Sequence, residues 1–315
     1  MLICRKHRKH IKILFKITSQ CNQSCEYCSE KPFTGYPSFQ LTKEEIVDNY
    51  NYLKKRFSIN SVILSGGEPT LHSEYFSILD FFFNEKIPLK IITNLLRFND
   101  FCFLKAHERY FNYVDNWLFY GSLSGVLSDE SKQRILGLEN ILRINFPVSL
   151  IVLVYHKNIR ELPELVHYIS KLFSLTKNVL NIELRLIYIK DVPYRVITHA
   201  PRDFKGVIRC ITTCLKLLGN TESHITIWNF PLCYLNDTYN RYVKHLDNNV
   251  EYRRKIKIIK INKRYQVDNF KVRDFQQFLF KDKKCVKCVR FNYCSGINEE
   301  YIVDLGFPDV HPIID

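Results

Sequence analysis

Residues 11–28 read IKILFKITSQCNQSCEYC, and further along residues 61–69 read SVILSGGEP. The first stretch is apolar with lysines interspersed until just before Cys21, which reads as a strand feeding a loop of three cysteines. The second is a short β-rich run ending in two glycines and a carboxylate, where the missing side chains let backbone approach a ligand closely. Between them, Thr42-Lys43-Glu44-Glu45 opens an amphipathic helix over 42–57. The pattern then repeats, with helices expected at 75–83, 101–110, 131–142 and 162–172 and strands at 89–93, 117–123, 148–154 and 182–188. Six strands alternating with five helices predict a parallel sheet with crossover connections, an α/β fold. In such sheets ligand loops gather at the carboxyl ends of the strands. The cysteine loop, the Gly66-Gly67-Glu68-Pro69 turn, Thr93-Asn94 and Ser122 all fall there.

The composition supports a folded chain. Of 315 residues, 46% are apolar and 25% charged, with only 10 Gly and 11 Pro, so a sizeable core can form and the composition argues against disorder or low complexity. The apolar run at 148–155 is far below the ~18–20 residues needed to span a bilayer. The basic run at 5–10 is followed by Lys12 and Lys16 and by no small-residue cleavage site. These features read as a cytoplasmic protein with no membrane contact. The net charge of +14 would attract an anionic partner. Ile, Lys, Asn, Tyr and Phe are abundant and Ala and Gly scarce, however, as an AT-rich coding sequence alone would give.

Eleven cysteines at tight spacings in a reducing compartment point to metal rather than to disulfides. Cys21, Cys25 and Cys28 form one group. Cys285, Cys288 and Cys294 form another, to which Cys233, after a predicted strand at 223–228, would add a fourth thiol. A structural zinc wants four protein ligands, whereas the first group supplies three and leaves one metal corner open. After Tyr188 the alternation is expected to cease. A helix over 201–218 carries Cys210 and Cys214 as small core residues, and 236–284 reads as a solvated insertion with some helix. Cys4, Cys102 and the histidines show no ligand spacing.

Cys21-x3-Cys25-x2-Cys28, with Tyr27 before the third cysteine, and Gly66-Gly67-Glu68-Pro69 resemble the two signature loops of the radical SAM superfamily. The resemblance covers about 11–189 and implies a partial (β/α)6 TIM-like barrel over 11–190, after a basic tail over 1–10. It implies that the three thiolates hold a [4Fe–4S] cluster, and that S-adenosylmethionine binds the open iron. Reductive cleavage would then yield a 5′-deoxyadenosyl radical that abstracts hydrogen from the substrate. By the same resemblance Tyr27 lies against the adenine, Gly66 and Gly67 against the methionyl portion, and Glu68 accepts from the ammonium. Thr93, Asn94 and Ser122 then meet the ribose or the carboxylate. Ser124 departs from the family's pattern, standing where many relatives carry Asp.

Cys233, Cys285, Cys288 and Cys294 resemble a shortened SPASM or twitch extension, placed over 191–315, which holds an auxiliary [4Fe–4S] cluster. A Cys4 zinc site meets the same spacing. That extension implies a peptide substrate first, a small-molecule dehydrogenase or epimerase second, and a flavodoxin or ferredoxin as electron donor. Since no peptide-binding module of ~80 residues precedes the barrel, a separate recognition protein is a further expected partner. A basic nucleic-acid-binding module with structural metal sites is the remaining reading, and it leaves 66–69 unexplained.

Overall fold

The computed structural model describes residues 10–25, 28, 38–113, 117–125, 128–176, 180–186, 203–218, 223–228, 230–235, 256–261, 279–291, 294 and 296–298. Seven strands run in chain order across one parallel sheet: β1 (His10–Thr18), β2 (Ser58–Gly66), β3 (Leu89–Thr93), β4 (Trp117–Leu123), β5 (Val148–Val154), β6 (Leu180–Leu186) and β7 (Ser223–Trp228). An eighth, β8 (Ile256–Ile261), pairs in parallel on the outer side of β1, giving the order β7-β6-β5-β4-β3-β2-β1-β8. Among the described residues β7 and β8 do not pair with each other, so the sheet stays open.

The connecting helices are α1 (Lys43–Lys54), α2 (Tyr75–Asn84), α3 (Phe101–Lys105), α4 (Asp129–Arg143), α5 (Leu162–Ser174) and α6 (Phe204–Leu218). The start expected at Thr42 is a complete capping box: Glu45 N–H donates to the Thr42 hydroxyl at 3.2 Å and Thr42 N–H to the Glu45 carboxylate at 2.9 Å. The helix expected over 101–110 is shorter, because α3 ends at Lys105 and a 3₁₀ segment, Glu108–Tyr113, follows.

The alternation does not stop after Tyr188. α6 and β7 form one more unit, with Leu184 beside Ile227 in the β6–β7 ladder. The insertion expected over 236–284 contains β8. Its IKIIKI run has the apolar content of a strand, but the Lys- and Asn-rich composition around it hides that signal. A two-stranded antiparallel pair, β9 (Leu279–Phe280) and β10 (Ile297–Asn298), lies apart from the large sheet.

The core fills the helix-covered face. On β1, Ile11, Ile13, Phe15 and Ile17 are fully buried, while Lys12, Leu14 and Lys16 alternate onto the opposite, half-buried inner face. Cys210 and Cys214 are buried in the α6 core stripe, as expected of small apolar residues. Among the described residues no helix is long and apolar enough to cross a membrane.

Candidate functional site

β1 and β2 end side by side, Thr18 opposite Gly66. Gly66 lies at φ +140°, and a Cβ there would sit 2.2 Å from the Thr18 carbonyl oxygen. One on Gly67 would sit 2.2 Å from the carbonyl oxygen of Gln20. The glycines are therefore required by close backbone approach. Gly67 N–H donates to Thr18 O, and Glu68 N–H to Gln20 O, each at 2.7 Å. The root of the cysteine loop is thus clamped onto the glycine turn. Its other side is held by the 38–41 segment, where Ser19 N–H donates to Phe39 O and Leu41 N–H to Ile17 O.

Glu68 is 1% exposed and braces β2 to β3. Its Oε1 accepts from Thr70 N–H (3.1 Å), Thr70 Oγ1 (2.7 Å) and Thr93 Oγ1 (2.9 Å), and its Oε2 from Asn94 N–H at 2.7 Å. Burial pushes the carboxyl above its usual range, and those four donors pull back against it. Spare acceptor capacity remains on Oε2. Asn94, held by the left-handed turn at Leu95 (φ 72°), sends its side-chain amide to Asn22 Oδ1 at 2.8 Å and to Cys21 Sγ at 3.9 Å. Thr93 and Asn94 therefore reach the cysteine loop through Glu68 and through the amide.

Cys21 is exposed, and Cys25 and Cys28 are half-buried. Cys28 N–H donates to Cys25 O at 3.2 Å. Desolvation raises the Cys21 thiol, and the nearby Glu68, Cys25 and Cys28 raise it further. Tyr27 lies outside the described residues, as do Cys4, His7 and His199.

Three residues that motif reading missed complete the wall. Arg134, 2% exposed on α4, donates from Nη2 to Cys25 Sγ at 3.3 Å and from Nη1 to Ser122 O and Ser124 Oγ, each at 3.4 Å; it also pairs with Glu130. Asn158 ties the ends of β4 and β5 together, its amide donating to Ser124 O at 2.8 Å and Leu153 O at 2.6 Å. Glu161 packs against Gly125, where a Cβ would meet Glu161 Oε2 at 2.7 Å. A cavity of about 350 Å³ opens here, lined by Ser24, Cys25, Ser124, Glu130, Tyr155 and Glu161 among others. Arg134 lies inside an ordinary amphipathic helix, so only its burial among polar partners marks it.

The second thiol group is wound tightly. Asp282 caps the 3₁₀ turn Lys283–Lys287 by accepting from Lys284 N–H at 2.7 Å. Burial raises the Cys285 thiol and the backbone hydrogen bond at Asp282 pulls it back, while Cys294, Asp282 and Cys288 add smaller upward pushes. Gly296 N–H donates to Cys294 Sγ at 3.4 Å. Cys233, in the turn after β7, packs against the same core as Cys285 and Cys294.

Among the described residues no three His, Cys, Asp or Glu side chains are close enough to hold one metal ion. A single zinc would draw its thiolates to about 2.3 Å, whereas a [4Fe–4S] cluster takes each thiolate on a different iron. Three unbridged thiols above a backbone cradle with no room for side chains fit such a cluster with one iron left over.

Comparison with known proteins agrees with this donor set. Residues 15–121 match the model of the Radical SAM superfamily. L-lysine 2,3-aminomutase of Methanococcus maripaludis is 36% identical over 84 residues, 27% of this chain and 19% of that protein. An S-adenosylmethionine-dependent nucleotide dehydratase of Selenomonas ruminantium is 32% identical over 84 residues, 26% of this chain and 29% of its own length. The chain thus spans under a third of either relative. In structure the chain resembles Streptococcus suis SuiB bound to S-adenosylmethionine, with TM-score 0.62 and 12% identity, covering 96% of this chain and 77% of SuiB. SuiB bound to its precursor peptide SuiA superposes with TM-score 0.56.

Proposed function

From the radical SAM domain that this chain carries over residues 15–121, we propose an enzyme that abstracts hydrogen from a ribosomally made peptide or protein. A [4Fe–4S] cluster on Cys21, Cys25 and Cys28, with S-adenosylmethionine on its open iron, supplies when bound the electron for sulfonium cleavage and the 5′-deoxyadenosyl radical that attacks a C–H bond.

The observation that carries this reading is the clamp of Gly66 and Gly67 onto residues 18–20, which puts the thiol loop and the glycine turn at one strand edge. Glu68, through Oε2, and the Asn94 amide orient whatever binds above Cys21. Arg134, buried beside Cys25, meets a carboxylate at that end of the site. Tyr27 is the adenine contact of this reading, and Thr93, Asn94 and Ser122 meet the ribose or the carboxylate. In this reading residues 11–190 form the barrel core, to whose sheet 191–315 adds β7 and β8, and the cysteine-bearing turns of 191–315 form the auxiliary extension. There Cys285, Cys288, Cys294 and Cys233 hold a second cluster, with zinc as the alternative. The protein works in the cytoplasm with a flavodoxin or ferredoxin as electron donor and, for a leader-guided substrate, a separate recognition protein.

The peptide choice is supported by SuiB, solved with a precursor peptide and superposing over 96% of this chain. A second reading, a small-molecule substrate, is favoured by the relatives of higher identity, which are named for lysine and for a nucleotide.

The test is anaerobic reconstitution of the wild type and of a Cys21→Ala/Cys25→Ala/Cys28→Ala variant, with iron, sulfide and zinc counted and 5′-deoxyadenosine release measured after dithionite reduction. We expect about eight irons falling to about four, with cleavage lost. About four falling to none, with zinc retained, would make the C-terminal site structural. No iron and no deoxyadenosine from a folded wild type would sink the radical reading.

A further inference from the structure

Two thiols of the cysteine loop meet side chains from distant elements, and the two donors differ in charge. Cys21, exposed, faces the neutral amide of Asn94, whose Nδ2 lies 3.9 Å from Sγ. Cys25, half-buried, accepts from the Arg134 guanidinium, whose Nη2 lies 3.3 Å from Sγ. The same Nη2 donates to Glu130, so thiol, cation and carboxylate are joined through one nitrogen. The Arg134 side chain is 2% exposed and that of Glu130 48%, which leaves the cation in the wall and the carboxylate at the rim of the cavity. The other arm of the guanidinium fixes the geometry. Nη1 donates to Ser122 O and Ser124 Oγ at the end of β4, and because the group is planar, anchoring one nitrogen on the sheet aims the other at Cys25. The helix that carries both residues has no slack. A Cβ at Gly137 of α4 would lie 2.2 Å from Leu95 O, in the turn after β3.

A buried cation is stabilised by every negative charge that reaches it. Glu130 supplies one from the cavity side, and Cys25 as an iron-bound thiolate supplies another from the loop side. When a cluster on this loop is reduced, an external donor loses one electron, the cluster gains it, and no bond or proton need move. The added negative charge falls partly on the sulfurs, where a charge-assisted N–H···S bond in a water-poor wall favours it. We propose that Arg134 is a positioning residue that acts through Cys25 to raise the reduction potential of the cluster, and that Glu130 limits the rise by partly neutralising the guanidinium. The inference rests on the radical reading above. It goes beyond the carboxylate contact given to Arg134 there, because it operates before S-adenosylmethionine binds.

A redox titration of the reconstituted full chain tests it, with the reduced cluster read by electron paramagnetic resonance before any S-adenosylmethionine is added. The Cys21→Ala/Cys25→Ala/Cys28→Ala variant supplies any C-terminal signal for subtraction. Arg134→Gln should make the reduced state about tenfold less favoured or more, a shift of about 59 mV to more negative potential for one electron. Arg134→Lys, which keeps the charge and loses the fork, should fall between Arg134→Gln and the wild type. Glu130→Gln should move the midpoint the other way by a smaller amount, since solvent screens that half-exposed carboxylate. Opposite shifts from two residues of one pair are not expected of a loop that is merely loosened. Midpoints that ignore both substitutions, or that move in the same direction for both, overturn the proposal. If Arg134→Gln fails to retain iron, the sign of the Glu130→Gln shift decides: a positive shift supports the proposal, and none or a negative one overturns it. A folded wild type that takes up no iron overturns the radical reading and this inference together, whereas a wild-type cluster indifferent to both residues overturns this inference alone.

Discussion

Among the described residues, the loop of 21–28 has one backbone hydrogen bond of its own, Cys28 N–H to Cys25 O. The segment 282–294 has four, from Cys285 to Asp282, Cys288 to Cys285, Phe291 to Cys288 and Cys294 to Arg290. The first group is held by distant chain: Gly67 and Glu68 on the β2 side, Asn94 after β3 and Arg134 on α4. The second folds around its own thiols and is closed by the β9–β10 pair. One thiol site is therefore built by tertiary structure and the other largely by local turns. Variants in the sheet should damage the first and spare the second.

The largest separation is expected from Gly67→Ala. The added Cβ would lie 2.2 Å from a backbone oxygen that no rotamer change can move, so the clamp opens at a cost of about 3 kcal/mol or more. Iron at the first group should be lost while the C-terminal group keeps its metal. Equal loss from both would break the comparison.

Acid should act on the core of the sheet's helix-covered face. His107 is 1% exposed just after α3, packed against Phe98, Phe103 and Phe119; its Nδ1–H donates to Phe103 O at 2.9 Å, and its Nε2 accepts from the Tyr75 hydroxyl at 3.1 Å. Burial lowers it from 6.5 to about 4. Folding thus favours the neutral ring, so its contribution is complete above about 6.5 and is lost as pH falls toward 4. The full loss is up to roughly 3 kcal/mol. Denaturant midpoints across that range should fall with pH in the wild type, and the His107 share of the slope should vanish in His107→Leu.

Glu68→Gln keeps the shape of the brace but can turn an amide N–H toward the Asn94 N–H, at about 1–3 kcal/mol. The pH sign is opposite to that of His107. Burial raises the carboxyl in the folded state, so the Glu68 contribution grows as pH falls through the carboxylate range. The variant should lose that gain, and urea titrations at two pH values would show it.

The smallest effect belongs to the C-terminal group. Asp282→Ala removes the cap on Lys284 N–H at about 1 kcal/mol. It should speed alkylation of Cys285 and Cys288 in the metal-free protein and leave Cys21 and Cys25 unchanged. A rate change at Cys21 would couple the two groups.

Much of this was legible in advance. Period-2 burial on β1, the Thr42–Glu45 capping box and the two cysteine spacings are local patterns, and the structure carries the strands and helices they announce. β8 was missed because strand propensity over six residues is outweighed by the composition of its surroundings. Its place beside β1 is a contact between segments more than 200 residues apart. Arg134 and Asn158 were missed for a related reason. Each is an ordinary polar residue in its own helix or turn, and its role comes from the partners it meets 109 and 34 residues away.

By itself the sequence determined the parallel α/β alternation, the identity of the thiols and the glycines at the clamp. Backbone periodicity, spacing and the lack of a side chain are properties of neighbouring residues. Only the tertiary structure decided that Glu68 is a buried brace, that Arg134 stands against Cys25, and that Asn158 ties the ends of β4 and β5 together. Those are questions of which distant groups meet and how much water remains between them, and they are answered when the sheet brings its strand ends together.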